Sequence, residues 1–308
     1  MSTDNPTASQ GGNTKTCLLI IDMQNDFCLP SGSLFVRGRT GDAAIGDANR
    51  LARFIRSNVM GIDMIAMTLD THVPMQIFHP CFWANGMKHP DPFTVITADD
   101  VRGGRWFVNR DYSDRSGTFK DREELELYCL HYVSTLGKIE IWPYHCIAGS
   151  SGCSVVHAVW KAVFYHSMER NRNPLIWEKG YVPYTEYYSV FEPEVNVRHD
   201  GRPLLDPEPG RYLYDILDKF DRIIVAGEAN SHCVRRSIES LVGQWKTPQK
   251  LGRIYVLEDC MSPVVVPGGT DFTGSAEEAF GKFAEAGVHL VKSTGGMAGW
   301  PEPPATVP

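Results

Sequence analysis

A strand, a turn and a helix follow one another in a single segment, RIIVAGEANSHCVRRSI, from Arg222 to Ile238. The apolar run 223–226 predicts a buried strand, and Gly227 permits a tight turn directly after it. Apolar residues at helical spacing follow Cys233, so this thiol is expected where a strand passes into a helix. In an open α/β sheet, that edge is where ligands bind.

Cys233 is therefore a candidate nucleophile. A thiol at a helix N-terminus lies at the positive end of the helix dipole, which lowers its pKa and favours the thiolate. The amides of the turn could form an oxyanion hole. An inert cysteine fits the segment equally well, because free cysteines are commonly buried. The rest of the chain has to decide between these two interpretations.

Composition sets limits on the function. The 308 residues are 43% hydrophobic and 22% charged, which is ordinary for a globular protein. A net charge of −7 gives no reason to expect nucleic acid or an anionic membrane as a partner, and we find no apolar run long enough to span a bilayer. The eight cysteines show no paired framework, which favours a reduced, cytoplasmic protein.

Strand and helix patterns alternate along the chain. A strand at 16–21, a helix at 43–59 and a strand at 62–68 predict a right-handed crossover between parallel strands. Three more apolar runs are interpreted as strands, at 175–178, 253–257 and 288–291. Together with the run before Gly227, these patterns predict an α/β fold with a doubly wound, mostly parallel sheet flanked by helices.

We expect one domain from residue 15 to residue 294. It carries a long insertion at about 81–140, which is rich in proline and charge and lacks a clean linker on either side. Residues 1–14 are polar and are expected to be disordered, and residues 295–308 are expected to form a loose tail.

Unusual polar residues stand at the ends of four predicted strands. Each has a simple alternative explanation: a turn-forming Asp, unlinked loop residues, a solvated lysine or a buried thiol. The carboxyl ends of parallel strands lie on one edge of a sheet, however, and four such coincidences at one edge are hard to attribute to chance. The residues are Asp22, the group Asp70, His72 and His79, then Lys179, and Cys233.

These residue types indicate covalent catalysis. Asp22 could take the proton of the thiol, and Lys179 could hold Asp22 and the thiolate in place by its charge. The amides around Ala229 and Cys233 could hold an oxyanion, and the product would be a thioester acyl-enzyme that water later hydrolyses.

A metal site is indicated beside this group. Asp70, His72 and His79 could all face one ion, and His145 could supply a fourth ligand or be a polar bystander. Trp142, in the same Gly- and Pro-rich loop, could form an aromatic wall or belong to the core.

Five motifs in order resemble those of the isochorismatase-like cysteine hydrolases, within them the nicotinamidase (pyrazinamidase) branch. They cover most of the chain from Thr16 to Val291. The motifs are Asp22-Met-Gln-Asn-Asp-Phe27, the set Asp70, His72 and His79, then Trp142-Pro-Tyr-His-Cys-Ile-Ala-Gly149, Lys179-Gly180, and Gly227-Glu-Ala-Asn-Ser-His-Cys-Val234.

The resemblance implies an Asp–Lys–Cys triad at Asp22, Lys179 and Cys233. It implies one divalent transition metal, with zinc the first choice and iron or manganese as alternatives, held by Asp70, His72, His79 and His145. In this branch the ion binds the ring nitrogen of the substrate. The resemblance further implies an aromatic sandwich of Phe27 and Trp142 around the ring, and a cis peptide between Glu228 and Ala229.

The implied reaction converts nicotinamide to nicotinate and ammonia, a step of pyridine-nucleotide salvage. The alternatives are the same chemistry on a carbamoyl, ureido or larger heteroaromatic amide, and, from another class, a non-catalytic metal-stabilised binding protein. A homo-oligomer is expected. The chain departs from the family at Glu228, where an aliphatic residue is usual, at Ser231, often acidic, and in its long insertion. The acidic side chain of Glu228 could alter the pocket or point to solvent.

Overall fold

The computed structural model describes residues 14–114, 116–205 and 210–304. The strands are β1 (Thr16–Ile21), β2 (Met64–Asp70), β3 (Trp83–Ala84), β4 (Val95–Thr97), β5 (Phe107–Val108), β6 (Lys138–Glu140), β7 (Leu175–Lys179), β8 (Arg222–Gly227), β9 (Ile254–Leu257) and β10 (His289–Val291). The α-helices are α1 (Asn25–Cys28), α2 (Ala43–Ser57), α3 (Ala98–Arg102), α4 (Arg122–Leu136), α5 (His157–Arg170), α6 (Arg211–Leu217), α7 (Cys233–Trp245), α8 (Pro248–Leu251) and α9 (Thr273–Glu285). Short 3-10 helices lie at Val59–Gly61, Pro80–Phe82, Ser293–Gly295 and Met297–Gly299.

The central sheet has six strands in the order β10-β9-β8-β1-β2-β7. All of their pairings are parallel. The chain builds outward from β1 in one direction through β2 and β7, and in the other through β8, β9 and β10. This doubly wound arrangement confirms the predicted fold class.

Two hydrophobic layers cover the faces of this sheet. Helices α2 and α5 pack on one face, and α6, α7 and α9 pack on the other. Because both faces are covered, β1, β8 and β9 are buried at every position. This explains why they appear in the sequence as continuous apolar runs, without alternation.

Most predicted elements lie close to their observed positions. Strand β1 has the predicted bounds, and α7 begins at Cys233 as expected. Strand β2 starts at Met64 and runs to Asp70, so Asp70 lies on the strand itself and pairs with Lys179 of β7. The sheet register therefore places these two side chains next to each other.

The insertion forms a third hydrophobic cluster, built around Trp83, Tyr128 and Tyr132. Strand β3 pairs antiparallel with β5, and β4 pairs antiparallel with β6. Strand β6 closes the insertion at Glu140, where the sequence places its end. Trp142 also belongs to this cluster, so the insertion packs against a residue that lines the cavity described below.

The predictions for the two ends of the chain can be compared with the structure only where residues are described. The predicted disorder of residues 1–14 falls almost wholly outside the described residues, as do residues 305–308. Within the predicted loose tail, Trp300 is buried and stacks on Phe54 and Tyr255. Among the described helices, none is long and apolar enough to cross a membrane.

Candidate active site

The direction in which the chain adds strands to the sheet reverses between the neighbouring strands β1 and β8. The candidate residues lie at the carboxyl ends of these two strands and of β2 and β7. Asp22 follows β1, and Cys233 begins the helix after β8. Asp70 ends β2 and Lys179 ends β7. This switch point is where open α/β sheets bind their ligands.

Lys179 connects the group. Its ammonium lies 2.9 Å from Asp22 Oδ2, 3.0 Å from Asp70 Oδ1 and 3.6 Å from Cys233 Sγ, and it donates to the Tyr187 carbonyl at 2.7 Å. The lysine is only 4% exposed. Burial lowers its pKa, but the two carboxylates outweigh burial and raise the pKa well above its usual value. Lys179 is therefore a buried cation between two anions and a thiol.

Asp22 is positioned by its backbone and by Thr68. It adopts a φ of +48°, a conformation that non-glycine residues adopt rarely and mostly where the surrounding structure demands it. Thr68 Oγ1 donates to Asp22 Oδ1 at 2.6 Å. Burial raises the pKa of Asp22, and Lys179 opposes this. A carboxylate of raised pKa is the better proton acceptor for a thiol.

The expected lowering of the Cys233 pKa is wrong. The thiol does lie at the start of α7, but it is 7% exposed. Burial raises its pKa well above the ordinary value, only Lys179 acts in the other direction, and Asp22 and Asp70 add to the rise. The helix dipole is outweighed by desolvation and by two carboxylates. The resting residue is a thiol that needs a base, and Asp22 is within 4.8 Å of it.

The predicted metal ligands lie together. Ligand atoms of Asp70, His72 and His145 are all within 4.8 Å of one another. The rings of His72 and His145 are 4.7 Å apart, and that of His79 is 5.7 Å from His72 and 5.9 Å from His145. His79 Nε2 is buried and makes no hydrogen bond to any described residue. An orphaned imidazole nitrogen beside a carboxylate and two further imidazoles fits a divalent transition metal.

Backbone carbonyls orient all three histidines. His72 Nδ1 contacts the Gly180 carbonyl at 3.1 Å, His79 Nδ1 contacts the Pro74 carbonyl at 3.1 Å, and His145 Nδ1 contacts the Pro143 carbonyl at 2.7 Å. Such outer contacts fix the tautomer and direct Nε2 toward the candidate metal site. His72 Nε2 contacts Asp70 Oδ2 there at 2.9 Å. Burial lowers the pKa of His79 to about 3 and that of His145 to about 4, so both rings are neutral, as ligation requires.

Gly180 follows Lys179 because no side chain fits there. It has a φ of +84°, and a Cβ atom would lie 2.7 Å from Asp70 Oδ1 and 2.8 Å from His72 Cε1. The Lys-Gly pair thus lets the backbone of β7 approach the metal ligands closely.

The first motif fastens the other loops to the site. Gln24 donates to the Asp70 carbonyl at 2.7 Å and accepts from the Asp70 amide at 2.8 Å. Asp26 accepts from the amide of Cys146, next to His145, at 2.7 Å. Asp22-Met-Gln-Asn-Asp-Phe27 therefore supplies the candidate base and also the contacts that hold two ligand-bearing segments.

A narrow cavity opens beside Cys233. Phe27 and Trp142 both line it, as do Asp70, His145 and Ala229, and its volume is about 30 Å³. The Trp142 indole donates to Tyr188 Oη at 2.8 Å, which fixes its ring plane. The space is small and the rings of Phe27, Trp142 and Tyr188 line it, so the cavity suits a compact planar ligand.

The turn after β8 carries the candidate oxyanion donors. The peptide between Glu228 and Ala229 is cis, as the resemblance implies. Within the described ranges, we find no acceptor for the amides of Ala229 or Cys233. Both residues line the cavity, so their N–H groups could hold the oxygen of a bound amide.

Three cavity residues with polar groups were missed in the sequence: Glu186, Tyr188 and His232. Burial, opposed by His72, raises the pKa of Glu186 to about 7. In the sequence, Glu186 and Tyr188 stand in a tyrosine-rich segment and His232 stands beside the nucleophile. Neither pattern shows which of these side chains faces a cavity.

Loss of a ligand should lower metal affinity. We expect His79→Ala and His145→Ala each to weaken zinc binding at least about tenfold, since each removes one of four donors. The measurement is zinc titration of the chelator-stripped protein. His131→Ala is the matched control, because the His131 ring contacts the Val197 carbonyl and Tyr128 and none of the predicted metal ligands. Unchanged affinity in both ligand variants would rule out this metal site.

Comparison with known proteins points to one group. No family model matches the chain. A nicotinamidase of Saccharomyces cerevisiae is 24% identical over 218 residues, covering 71% of this chain and 77% of the relative. A nicotinamidase/pyrazinamidase of Mycobacterium tuberculosis is 29% identical over 225 residues, covering 73% of this chain and 77% of the relative.

Solved structures share the fold. The yeast nicotinamidase bound to the inhibitor nicotinaldehyde superposes with a TM-score of 0.58 at 19% identity, covering 90% of this chain and 99% of that one. A nicotinamidase/pyrazinamidase of Acinetobacter baumanii gives a TM-score of 0.52 at 21% identity, covering 91% and 97%.

Proposed function

We propose that this chain, a relative of the nicotinamidases within the isochorismatase-like hydrolases, is a metal-assisted cysteine amidohydrolase that converts nicotinamide to nicotinate and ammonia. The observation that carries the proposal is the contact of Lys179 with Asp22, Asp70 and Cys233, since it joins a base, a nucleophile and a metal ligand through one cation.

Acylation begins at the thiol. Asp22 takes the proton of Cys233, and Sγ attacks the carbonyl carbon of the amide, forming a C–S bond. The carbonyl electron pair moves to oxygen, where the amides of Ala229 and Cys233 stabilise the negative charge. Lys179 remains a cation throughout, so it offsets the charge that passes from Asp22 to sulfur to oxygen.

Breakdown uses the same residues in reverse. The proton held by Asp22 passes to the leaving nitrogen, the C–N bond breaks, and ammonia departs. The nicotinoyl group remains on Cys233 as a thioester. Asp22 then takes one proton from a water whose oxygen forms a bond to the thioester carbon. The C–S bond breaks, the proton on Asp22 returns to sulfur, and the acid product loses its remaining proton to solvent as nicotinate.

Substrate orientation is assigned to the metal site and the aromatic walls. A divalent ion held by Asp70, His72, His79 and His145 would supply a Lewis acid for the ring nitrogen. Phe27 and Trp142 line the same cavity and would hold the ring between them. The small size of the cavity favours nicotinamide over a larger heteroaromatic amide.

Ammonia release tests the function. Purified protein is stripped with chelator, reloaded with zinc, manganese or iron, and incubated with nicotinamide. We expect release that needs metal. Release from a carbamoyl or ureido compound alone would assign the same chemistry to another amide. No release from any of these amides by metal-loaded protein would favour a binding protein.

Three finer properties also remain proposals. Zinc is our first choice of metal, because the donor set of one carboxylate and three imidazoles suits it. We place the protein in the cytoplasm, supported by eight cysteines that are all free in the structure. We also propose a homo-oligomer, and sedimentation of the purified protein tests it.

A further inference from the structure

A buried polar network lies behind the turn that carries the oxyanion donors. Glu228 neither points to solvent nor lines the cavity. It is 0% exposed, and its Oε2 accepts from the Ser262 amide at 3.2 Å. Ser262 Oγ donates to Asp47 Oδ2 at 2.5 Å, and Arg50 Nη2 donates to Asp47 Oδ1 at 2.6 Å. The network links helix α2, the loop after β9 and the cis peptide before Ala229.

The hydrogen-bond donors in this network are too few for the four oxygens of the two carboxylates. The Ser262 amide, the Ser262 hydroxyl and Arg50 together serve three of the four carboxyl oxygens. The fourth, Glu228 Oε1, is fully buried and receives no hydrogen bond from the described residues. A buried, unpaired carboxylate oxygen is costly, and one added proton would turn it into a donor toward Asp47.

We infer that Glu228 is a neutral carboxylic acid that donates to the Asp47 carboxylate, and that this pair is a positioning device for the Ala229 amide in the oxyanion hole. The inference rests on the proposed function. The pair anchors the side chain of Glu228, while the Glu228 amide donates to the Ile21 carbonyl at 2.9 Å. Side chain and backbone together fix the peptide that presents Ala229 N–H.

The surrounding charges agree with this assignment. Burial is the main cause that raises the pKa of Glu228 well above its ordinary value, and Asp47 adds to the rise. Arg50 opposes it, but only weakly. Cys28 also faces Glu228, and its own raised pKa keeps it a neutral thiol. One acid of the pair can ionise easily, but the negative charge it then carries opposes ionisation of the second, as in other paired carboxyl groups.

Substitutions separate positioning from packing. In Glu228→Gln the amide can still accept from Ser262 and donate to Asp47, so we expect kcat within about threefold of wild type. Glu228→Leu keeps the bulk and loses both contacts. We expect its kcat to fall roughly 10- to 100-fold while KM stays within about twofold, because misplaced oxyanion donors affect the transition state more than the bound amide. Glu194→Gln, which changes a partly buried acid paired with Arg236, is the control.

The pH profile supplies a readout that a packing role would not change. Ionisation of Glu228 would place two carboxylates together, so wild-type kcat should decline on the alkaline side. The glutamine variant cannot ionise at this position and should lose that component of the decline. Superimposable profiles of wild type and Glu228→Gln, or a wild-type kcat in Glu228→Leu, would overturn the inference.

Thermal unfolding tests the protonated pair without a substrate. A pKa raised on folding contributes stability below the ordinary value of 4.5, and this contribution is lost as pH rises toward the folded value. The Tm of wild type, compared with the Tm of Glu228→Gln at the same pH, should therefore fall steadily from about pH 4.5 upward. A Tm difference that does not change with pH would contradict the neutral acid. This result can be obtained even if nicotinamide proves not to be the substrate.

Discussion

We expect Cys233→Ala to release no measurable ammonia from nicotinamide, with a kcat lower by about 10⁴-fold or more. The reason is that no other side chain replaces sulfur as the nucleophile beside Asp22 and Lys179. The fold should persist, because the one hydrogen bond to the Cys233 thiol among the described residues is long, 3.6 Å from Lys179, whose other three partners remain. The measurement is ammonia release together with Tm and zinc content.

Cys129→Ala is the matched control for this result. Cys129 is also a buried, free thiol, but it lies in the hydrophobic cluster of the insertion. We expect some loss of Tm from the lost packing and a kcat close to wild type. Substantial ammonia release by Cys233→Ala would remove the thioester from the mechanism.

Lys179→Met should damage both stability and activity. It keeps the length of the side chain and removes the ammonium, which leaves Asp22 and Asp70 without their shared cation in a buried site. Breaking a buried ion pair by removing one partner costs roughly 3–5 kcal/mol of unfolding free energy. We expect kcat to fall by about 10³-fold or more, since Asp22 would hold its proton and the thiol would lack a compensating charge.

Urea unfolding and ammonia release measure the two effects. Lys250→Met is the control, because Lys250 pairs with Asp218 at the surface and such exposed pairs contribute about 1 kcal/mol or less. A Lys179→Met protein as stable and as active as wild type would show that the ammonium has no role in the site.

The sheet and its polar edge could be predicted because they depend on local patterns. Apolar runs mark strands that are buried on both faces, and the residue after each run must lie at the sheet edge. Asp22, Lys179 and Cys233 were found in this way. The pairing of Asp70 with Lys179 then follows from the register of two neighbouring strands.

What was missed depends on contacts between distant parts of the chain. The partner of Glu228 is Asp47 on α2, far away in sequence, and nothing near Glu228 indicates it. Strand β6 pairs with β4 across the whole length of α4. The predicted lowering of the Cys233 pKa was wrong for a related reason. A helix start is visible in a sequence, whereas the depth of burial and the approach of two carboxylates from other strands are not.

The central claim is that turnover passes through the sulfur of Cys233, and partial alkylation tests it most directly. Zinc-loaded protein is treated with iodoacetamide for increasing times, and each sample is divided between an ammonia assay and peptide mass spectrometry. Cys81 and Cys153 are the two partly buried thiols. Cys81→Ser serves as the starting protein, which removes one of these two competing sites of alkylation. We predict that activity falls in direct proportion to the modified fraction of Cys233 and reaches zero when modification is complete. Activity that persists with Cys233 fully alkylated would contradict the proposed mechanism.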